Sequence, residues 1–235
     1  MSTWTARRFW TETSAVPVDG GFTVHLDARP VRTPLKAPLV VPTFALAQAI
    51  AAEWQAQGAK VNPETMPFTR TANSAIDKVA PQHAAVAAML AEYGGSDLLC
   101  YRAEGPEDLI GRQAAAWDPV LQWAKDMLDA PLVVTPGVMH VDQPTASLAK
   151  LRQAVDAQDP FRLSAFHDLV AISGSLVLAL AVTRRTLTAE AAWDLSRIDE
   201  SWQIALWGED EEAAEVTALK RRAFLQADRF YGLCG

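Results

Sequence analysis

Apolar and polar residues alternate near the start of the chain in the pattern of a small antiparallel β unit. Two runs with a period of two occupy positions 16–18 and 22–26, which is typical of strands with one buried face. The turn at 19–21, Asp-Gly-Gly, supplies the residues that adopt positive φ in a tight hairpin. Residues 31–33 and 39–41 are predicted to form two further short strands.

The apolar period changes to that of helices after Pro42. Thr43 suits the N-cap of a helix that is stopped by Gly58, and a second helix is predicted over 69–79. The most apolar stretch, 169–182, is 14 residues long. Because a membrane-spanning helix needs about 20 residues, this stretch predicts a buried core helix.

Aspartate–proline pairs predict helix starts in the second part of the chain. In Asp118-Pro119 and Asp159-Pro160 the proline suits the first helical position, where its missing N–H costs nothing. The preceding aspartate suits the N-cap. Between these two pairs, residues 132–134 are predicted to be a short extended segment.

Two helices are predicted at the C-terminal end. The first runs from a Thr188 cap to Leu206 and stops at Gly208. The second begins with the acids of 209–212 and ends with basic residues before Gly232, an order of charge that matches the helix macrodipole. These elements predict an α+β fold.

Two domains are predicted from this change of pattern. Residues 1–80 form a small N-terminal α+β domain with a β meander, and residues 81–235 form a larger, mainly α-helical domain.

The net charge is -7. Residues 1–100 carry 8 basic and 8 acidic side chains, whereas 101–235 carry 13 basic and 20 acidic ones. Nucleic acid and anionic membranes require a clustered basic face, so neither is an expected partner.

Few residues carry a recognisable chemistry. The chain holds no glycine-rich phosphate loop and no clustered metal-ligand pattern, so no cofactor and no metal are predicted. Cys100 is predicted to be a buried thiol. His167-Asp168 is the most enzyme-like pair, although adjacent helix residues point about 100° apart and do not face each other. An enzyme of unknown class that uses this pair in an interdomain cleft is the alternative hypothesis.

The eight tryptophans are a stronger signal, because tryptophan is enriched at the centres of protein–protein interfaces. Four have apolar helical neighbours and are predicted to lie in the core: Trp54, Trp117, Trp193 and Trp202. Three stand beside charge at a chain or helix end, where a core position and an interface position both stay open: Trp4, Trp10 and Trp207.

An acidic run follows the last tryptophan. Glu209, Asp210, Glu211 and Glu212 are consistent with a solvated helix start that the macrodipole stabilises. They are also consistent with a docking patch for a basic partner surface, with Trp207 as its aromatic anchor. Both interpretations stay open at this point.

Nine blocks of sequence, in order along nearly the whole chain, resemble one known family. The blocks are RRFW (7–10), VHLDARPVRTP (24–34), EWQAQG (53–58), MPFTRTANSAID (66–77), DLLCYRAEGPEDL (97–109), AAWDPVLQWA (115–124), DPFRLSAFHDL (159–169), GSLVLALAV (174–182) and SWQIALWGEDEEA (201–213). They are similar to those of the F1 ATP synthase assembly chaperones that serve the α subunit, the ATP-twelve family.

The resemblance implies a function in binding. Members of the family are not enzymes; they bind the free α subunit of F1 and shield its β-contacting surface until the α/β ring assembles. An acidic residue of the WGEDEE block matters in the family, and matching the block places it at Glu212. The family fold has a small N-terminal domain with β-structure and a larger helical domain.

The resemblance also bears on location. Mitochondrial members carry a presequence, and none is evident in the first ten residues here. The chain is therefore expected to be an alpha-proteobacterial cytoplasmic protein, or a matrix protein if it is a processed eukaryotic chain. We expect no stable membrane insertion, and a monomer when the protein is free.

Overall fold

The computed structural model of the protein describes residues 7–235. Strands β1 (Thr13–Val18), β2 (Gly21–Leu26) and β3 (Arg29–Pro30) form an antiparallel sheet in that order. Val18 pairs with Gly21, so the predicted hairpin and its tight turn are confirmed.

The two further strands predicted after this hairpin are wrong. Arg32 and Phe22 form single isolated bridges, to Pro38 and Val41 respectively, and no strand covers 31–33 or 39–41. Prolines at positions 34 and 38 lack the N–H that a continuous ladder requires.

Ten α-helices follow within the described residues. They are α1 (Phe44–Gln55), α2 (Pro67–Ser74), α3 (His83–Glu92), α4 (Glu107–Leu128), α5 (Thr145–Asp156), α6 (Pro160–Ser173), α7 (Leu176–Thr183), α8 (Ala189–Ser196), α9 (Ile198–Trp207) and α10 (Glu211–Leu233). The α+β fold with a mainly helical larger part is confirmed. No described helix is both long enough and apolar enough to span a membrane.

A local cap holds the start of the first helix, and a side chain of the first helix holds the start of the second. The Thr43 hydroxyl accepts a hydrogen bond from the Leu46 amide at 3.1 Å, which confirms the cap of α1. Helix α2 continues through a π-helical turn, Ala75–Val79, so the helix predicted over 69–79 is confirmed in outline. Its start is held by the Glu53 carboxylate, which accepts the amides of Phe68 and Thr69 at 2.7 and 2.8 Å.

The chain divides into two compact units. Of the described residues, unit 1 holds 7–83 together with 159–165 and 229–235, and unit 2 holds 84–158 and 166–228. The two late segments belong to unit 1 because Ala165 and Phe230 are buried in its apolar core. The assignment of 1–80 and 81–235 as separate domains stays a prediction.

The apolar stretch 169–182 lies in unit 2 and is buried, but it is not one helix. Helix α6 ends at Ser173, Gly174 adopts a φ of 72°, and Ser175 caps α7 by accepting the Leu178 amide at 3.0 Å. The left-handed φ at Gly174 is a conformation that glycine adopts without a steric penalty. The chain therefore turns at this point and starts a second buried helix.

The two aspartate–proline predictions have opposite outcomes. Asp159 accepts the Phe161 amide at 2.9 Å at the start of α6, with Pro160 as its first residue, as predicted. Asp118 and Pro119 instead lie inside α4, so that prediction is wrong. The helix continues because its buried face packs in the core of unit 2. The stabilisation from this packing exceeds the loss of the one backbone hydrogen bond that proline removes.

The predicted helix from Thr188 to Leu206 is two helices. The Thr188 hydroxyl accepts the Ala191 amide at 3.1 Å, which confirms the cap, but α8 ends at Ser196 and α9 begins after Arg197. Helix α9 then ends at Gly208, which has a φ of 88° and is the predicted stop.

Candidate partner-binding surface

The end of α9 and the start of α10 form the most exposed helical stretch of unit 2. Every residue from 201 to 222 is exposed except Trp202, Ala214 and Thr217, which are partly buried. Helices of globular proteins normally bury one apolar stripe. Here two consecutive helices leave large apolar side chains in solvent.

These apolar side chains and the charges beside them define what we call the α9–α10 surface. Its apolar members are Ile204, Leu206, Trp207, Val216 and Leu219. Its charged members are Glu209, Asp210, Glu211, Glu212, Glu215, Lys220 and Arg222. Trp207 is 77% exposed and Leu219 is 60% exposed. Exposed apolar groups that stand among charges mark binding sites more often than isolated surface hydrophobics do.

The acidic run contains one residue with a structural task. The Asp210 carboxylate accepts the Ala213 amide at 2.8 Å and so caps α10. Glu211 and Glu212 lie in the first turn of that helix, where negative charge is favourable. The side chains of Glu209 and Glu212 make no hydrogen bond or ion pair with any part of the chain that the structure describes. The helix-start interpretation therefore accounts fully for Asp210 and only partly for its neighbours.

The predicted site residues thus fall on one exposed segment. Trp207 is the last residue of α9, Glu209 and Asp210 lie in the connection, and Glu211 and Glu212 open α10. Their role in docking stays a prediction.

Burial separates the tryptophans that the sequence left open. Trp10 is buried in the core of unit 1 and makes an edge-to-face contact with Trp54, with ring centroids 5.3 Å apart. Trp117 and Trp193 are buried as predicted, and Trp54 and Trp202 are partly buried. Trp4 lies outside the described residues.

His167 and Asp168 contact each other, contrary to the argument from helical geometry. The His167 Nδ1 and Asp168 Oδ1 atoms lie 3.0 Å apart, because both side chains rotate toward their shared edge of α6. This hydrogen bond raises the pKa of His167, against the opposing effect of burial. Both side chains are about half exposed. The enzyme hypothesis built on this pair stays a prediction.

The cysteines are free and buried. Burial raises the pKa of both Cys100 and Cys234 to about 12, so both thiols are neutral at physiological pH. This confirms Cys100 as a buried thiol. Within residues 7–235, no group of three or more histidine, cysteine, aspartate or glutamate side chains could hold a metal ion.

A second exposed apolar segment escaped the sequence analysis. Residues 132–134 are not a strand; instead Thr135 pairs in parallel with Tyr101, in a two-stranded sheet of β4 (Tyr101–Arg102) and β5 (Thr135–Pro136). Beyond it, Val138 and Met139 are almost fully exposed. An apolar run broken by prolines has no helical or strand period, so the sequence carried no signal for its exposure.

Exposed apolar side chains among charges on a helical surface are typical of proteins that bind other proteins. Comparison with known proteins identifies the family. The model of the family described as ATP12 chaperone protein matches residues 7–125, half of the chain. The chain belongs to the ATP12 chaperone family.

Solved and curated relatives agree with this assignment. The chain is 53% identical to Atp12 from Paracoccus denitrificans, covering 98% of this chain and 99% of that one, with a TM-score of 0.95. It is 43% identical to the Atu1473 protein of Agrobacterium tumefaciens, covering 97% and 85% of the two chains, with a TM-score of 0.91. It is 23% identical to the mitochondrial protein atp12 of Schizosaccharomyces pombe, covering 89% and 76% of the two chains.

Proposed function

We propose that the protein is an assembly chaperone that binds the free α subunit of F1 ATP synthase and covers its β-contacting surface until the α/β ring assembles. Membership of the ATP12 chaperone family supports this proposal, as do the sequence blocks that resemble the chaperones of the α subunit. The single structural observation that carries it is the exposed Trp207, beside an acidic run on the α9–α10 surface.

The chemistry of this surface suits a temporary protein partner. Tryptophan provides a large contact area with little conformational entropy to lose, and it is the residue most enriched at binding hot spots. The surrounding charges favour a fast and oriented encounter, and they keep the free protein soluble. A modest interface of this kind can be displaced, so exchange for the β subunit is the release step that we propose.

We also propose how the protein acts, its oligomeric state when free and its location. It acts by binding and not by catalysis, and it is a monomer of the bacterial cytoplasm. The higher identity to the Paracoccus and Agrobacterium proteins than to the mitochondrial relative supports the bacterial assignment.

Complex formation with the cognate α subunit tests the proposal. Purified protein and isolated α subunit are mixed under native conditions, and the complex is measured by sedimentation velocity. We expect Trp207→Ala and Glu212→Lys to weaken the complex while circular dichroism and the melting temperature stay close to wild type. The absence of a complex with the wild-type protein would overturn the proposal.

Matched variants separate a docking role from a general effect of the substitution. Glu190 is exposed and is the second residue of α8, as Glu212 is of α10, so Glu190→Lys has the same effect on a helix start. Leu35 is exposed like Trp207 but belongs to unit 1, so Leu35→Ala is the control for the loss of an exposed apolar side chain in Trp207→Ala. Both control variants should bind the α subunit normally.

A further inference from the structure

Charge is ordered along the exposed part of α10. Glu211, Glu212 and Glu215 lie at its start, and a basic triplet, 220–222, lies two to three turns later. All of these residues are exposed, and within the described chain none of the three basic side chains forms an ion pair. The apolar Val216 and Leu219 stand between the two charged ends. The helix therefore carries an acidic end, an apolar centre and a basic end.

Helical geometry places only part of the basic end on the outward face. Residues three, four or seven positions apart share a helix face. Glu215, Leu219 and Arg222 follow this spacing, and all three are exposed. Arg221 instead continues the row of Ala214 and Thr217, which are partly buried.

The same spacing relates Glu212 to the apolar centre, because Val216 and Leu219 lie four and seven positions after it. Phe224, three positions after Arg221, is fully buried, so the row of Ala214, Thr217 and Phe224 turns toward the interior of unit 2, although the Arg221 side chain on that row is itself exposed. The outward face of α10 thus carries Glu212, Glu215, Val216, Leu219 and Arg222.

The outermost charges of the two ends are well separated. Arg222 lies ten positions after Glu212, which at a rise of about 1.5 Å per residue places them about 15 Å apart along the helix. This distance exceeds the Debye length of about 8 Å at physiological ionic strength. A partner charge opposite Arg222 is therefore largely screened from Glu212.

We propose that the outward face of α10, within the α9–α10 surface, docks a partner surface whose charges run in the complementary order, basic opposite Glu212, apolar opposite Leu219, and acidic opposite Arg222. This inference rests on the proposed function and adds the orientation of docking to it. Complementary charges fix register and suppress wrong orientations because juxtaposed like charges repel. The occupant is a bipolar strip of the F1 α subunit, and not a uniformly basic patch.

Reversing the basic end separates the two possibilities. If the partner surface were uniformly basic, Arg222→Glu would strengthen binding by adding a negative charge. A bipolar partner surface gives the opposite sign. We expect Arg222→Glu to lower the affinity for the α subunit about tenfold at low salt, and this loss should shrink as the salt concentration rises.

Arg221→Glu is the matched control, with the same change of charge one residue away on the inward row. It should leave the affinity close to wild type. Arg222→Gln removes the charge without reversing it and should give an intermediate loss. If circular dichroism shows that Arg222→Glu disturbs the helix, Arg222→Gln still tests the role of the charge.

Sedimentation or calorimetric titration of the α subunit with these variants gives distinct outcomes. Arg222→Glu that binds as tightly as wild type, or more tightly, overturns the bipolar docking and leaves the proposed function standing. Equal losses for Arg221→Glu and Arg222→Glu overturn the assignment of the outward face. A wild-type protein that does not bind the α subunit removes the proposed function and this inference together.

Discussion

Replacement of Asp97 tests what holds the start of α7. The Asp97 side chain is fully buried. Its carboxylate accepts hydrogen bonds from the Ser175 hydroxyl at 2.7 Å, from the Val177 amide at 3.0 Å and from the Leu99 amide at 3.0 Å. Asp97→Ala removes the acceptor of three donors at once, in a part of the protein that water does not reach.

The magnitude follows from these three donors. A buried donor left without a partner costs about 1–3 kcal/mol. Part of this loss is offset because the variant no longer buries a charge, and burial is also what raises the pKa of Asp97. We therefore expect Asp97→Ala to lower the free energy of unfolding by about 3–5 kcal/mol. Ser175→Ala removes only one hydroxyl and a helix cap and should cost about 1–2 kcal/mol.

Urea unfolding followed by tryptophan fluorescence, to which the buried Trp117 and Trp193 contribute, measures this effect. With an m-value of about 2–3 kcal/mol/M, the midpoint for Asp97→Ala should fall by about 1–2 M. Asp126 is exposed, so Asp126→Ala should shift the midpoint by less than about 0.3 M. A midpoint for Asp97→Ala within that same range would refute the idea that this carboxylate holds the α6–α7 turn.

Three further predictions follow from local environments. The two buried thiols should resist a thiol reagent at about pH 8 in the native protein and react at once in urea, because burial raises the pKa of each to about 12. Gly21→Ala should lower the free energy of unfolding by about 2 kcal/mol or more, because the new Cβ would overlap the Val41 carbonyl. In the control, Gly58→Ala, the new Cβ meets open space, so its urea midpoint should stay close to wild type. The Asp168 contact raises the pKa of His167 above 6.5. The stabilisation of the folded protein by this contact is therefore complete below that pH, and it is lost as the pH rises through the raised pKa. The exposed pair should contribute less than about 1 kcal/mol, and Asp168→Asn should reduce the difference between urea midpoints at about pH 6 and about pH 8.5 by the contribution of this pair.

Features that depend on one side chain and its neighbours in sequence were predictable. Thr43 and Thr188 cap helices, and Gly208 ends one, because each acts on backbone groups within a few residues of itself. The hairpin turn after Val18 has the same local origin. Such features need no knowledge of what packs against them.

Features that depend on burial were not predictable from the sequence. Pro119 lies inside α4 because the tertiary packing of Trp117 and Val120 holds the helix together across it. Trp10 and Trp207 both stand beside charge in the sequence, yet one is buried and the other is 77% exposed. Only the packing of distant residues decides between these outcomes, so the structure was needed to show that Trp207 is exposed and Trp10 is not.

The α9–α10 surface contains more than its local structure requires. Gly208 ends α9 and Asp210 caps α10, so the connection between the helices is complete without Trp207, Glu209 or Glu212. An exposed tryptophan adds no core packing and raises the risk of aggregation. An exposed apolar side chain that raises the aggregation risk and does not stabilise the fold is expected where a partner covers it. Burial of that apolar area in an interface contributes to the binding free energy. The fold therefore leaves Trp207, Glu209 and Glu212 free to contact a partner.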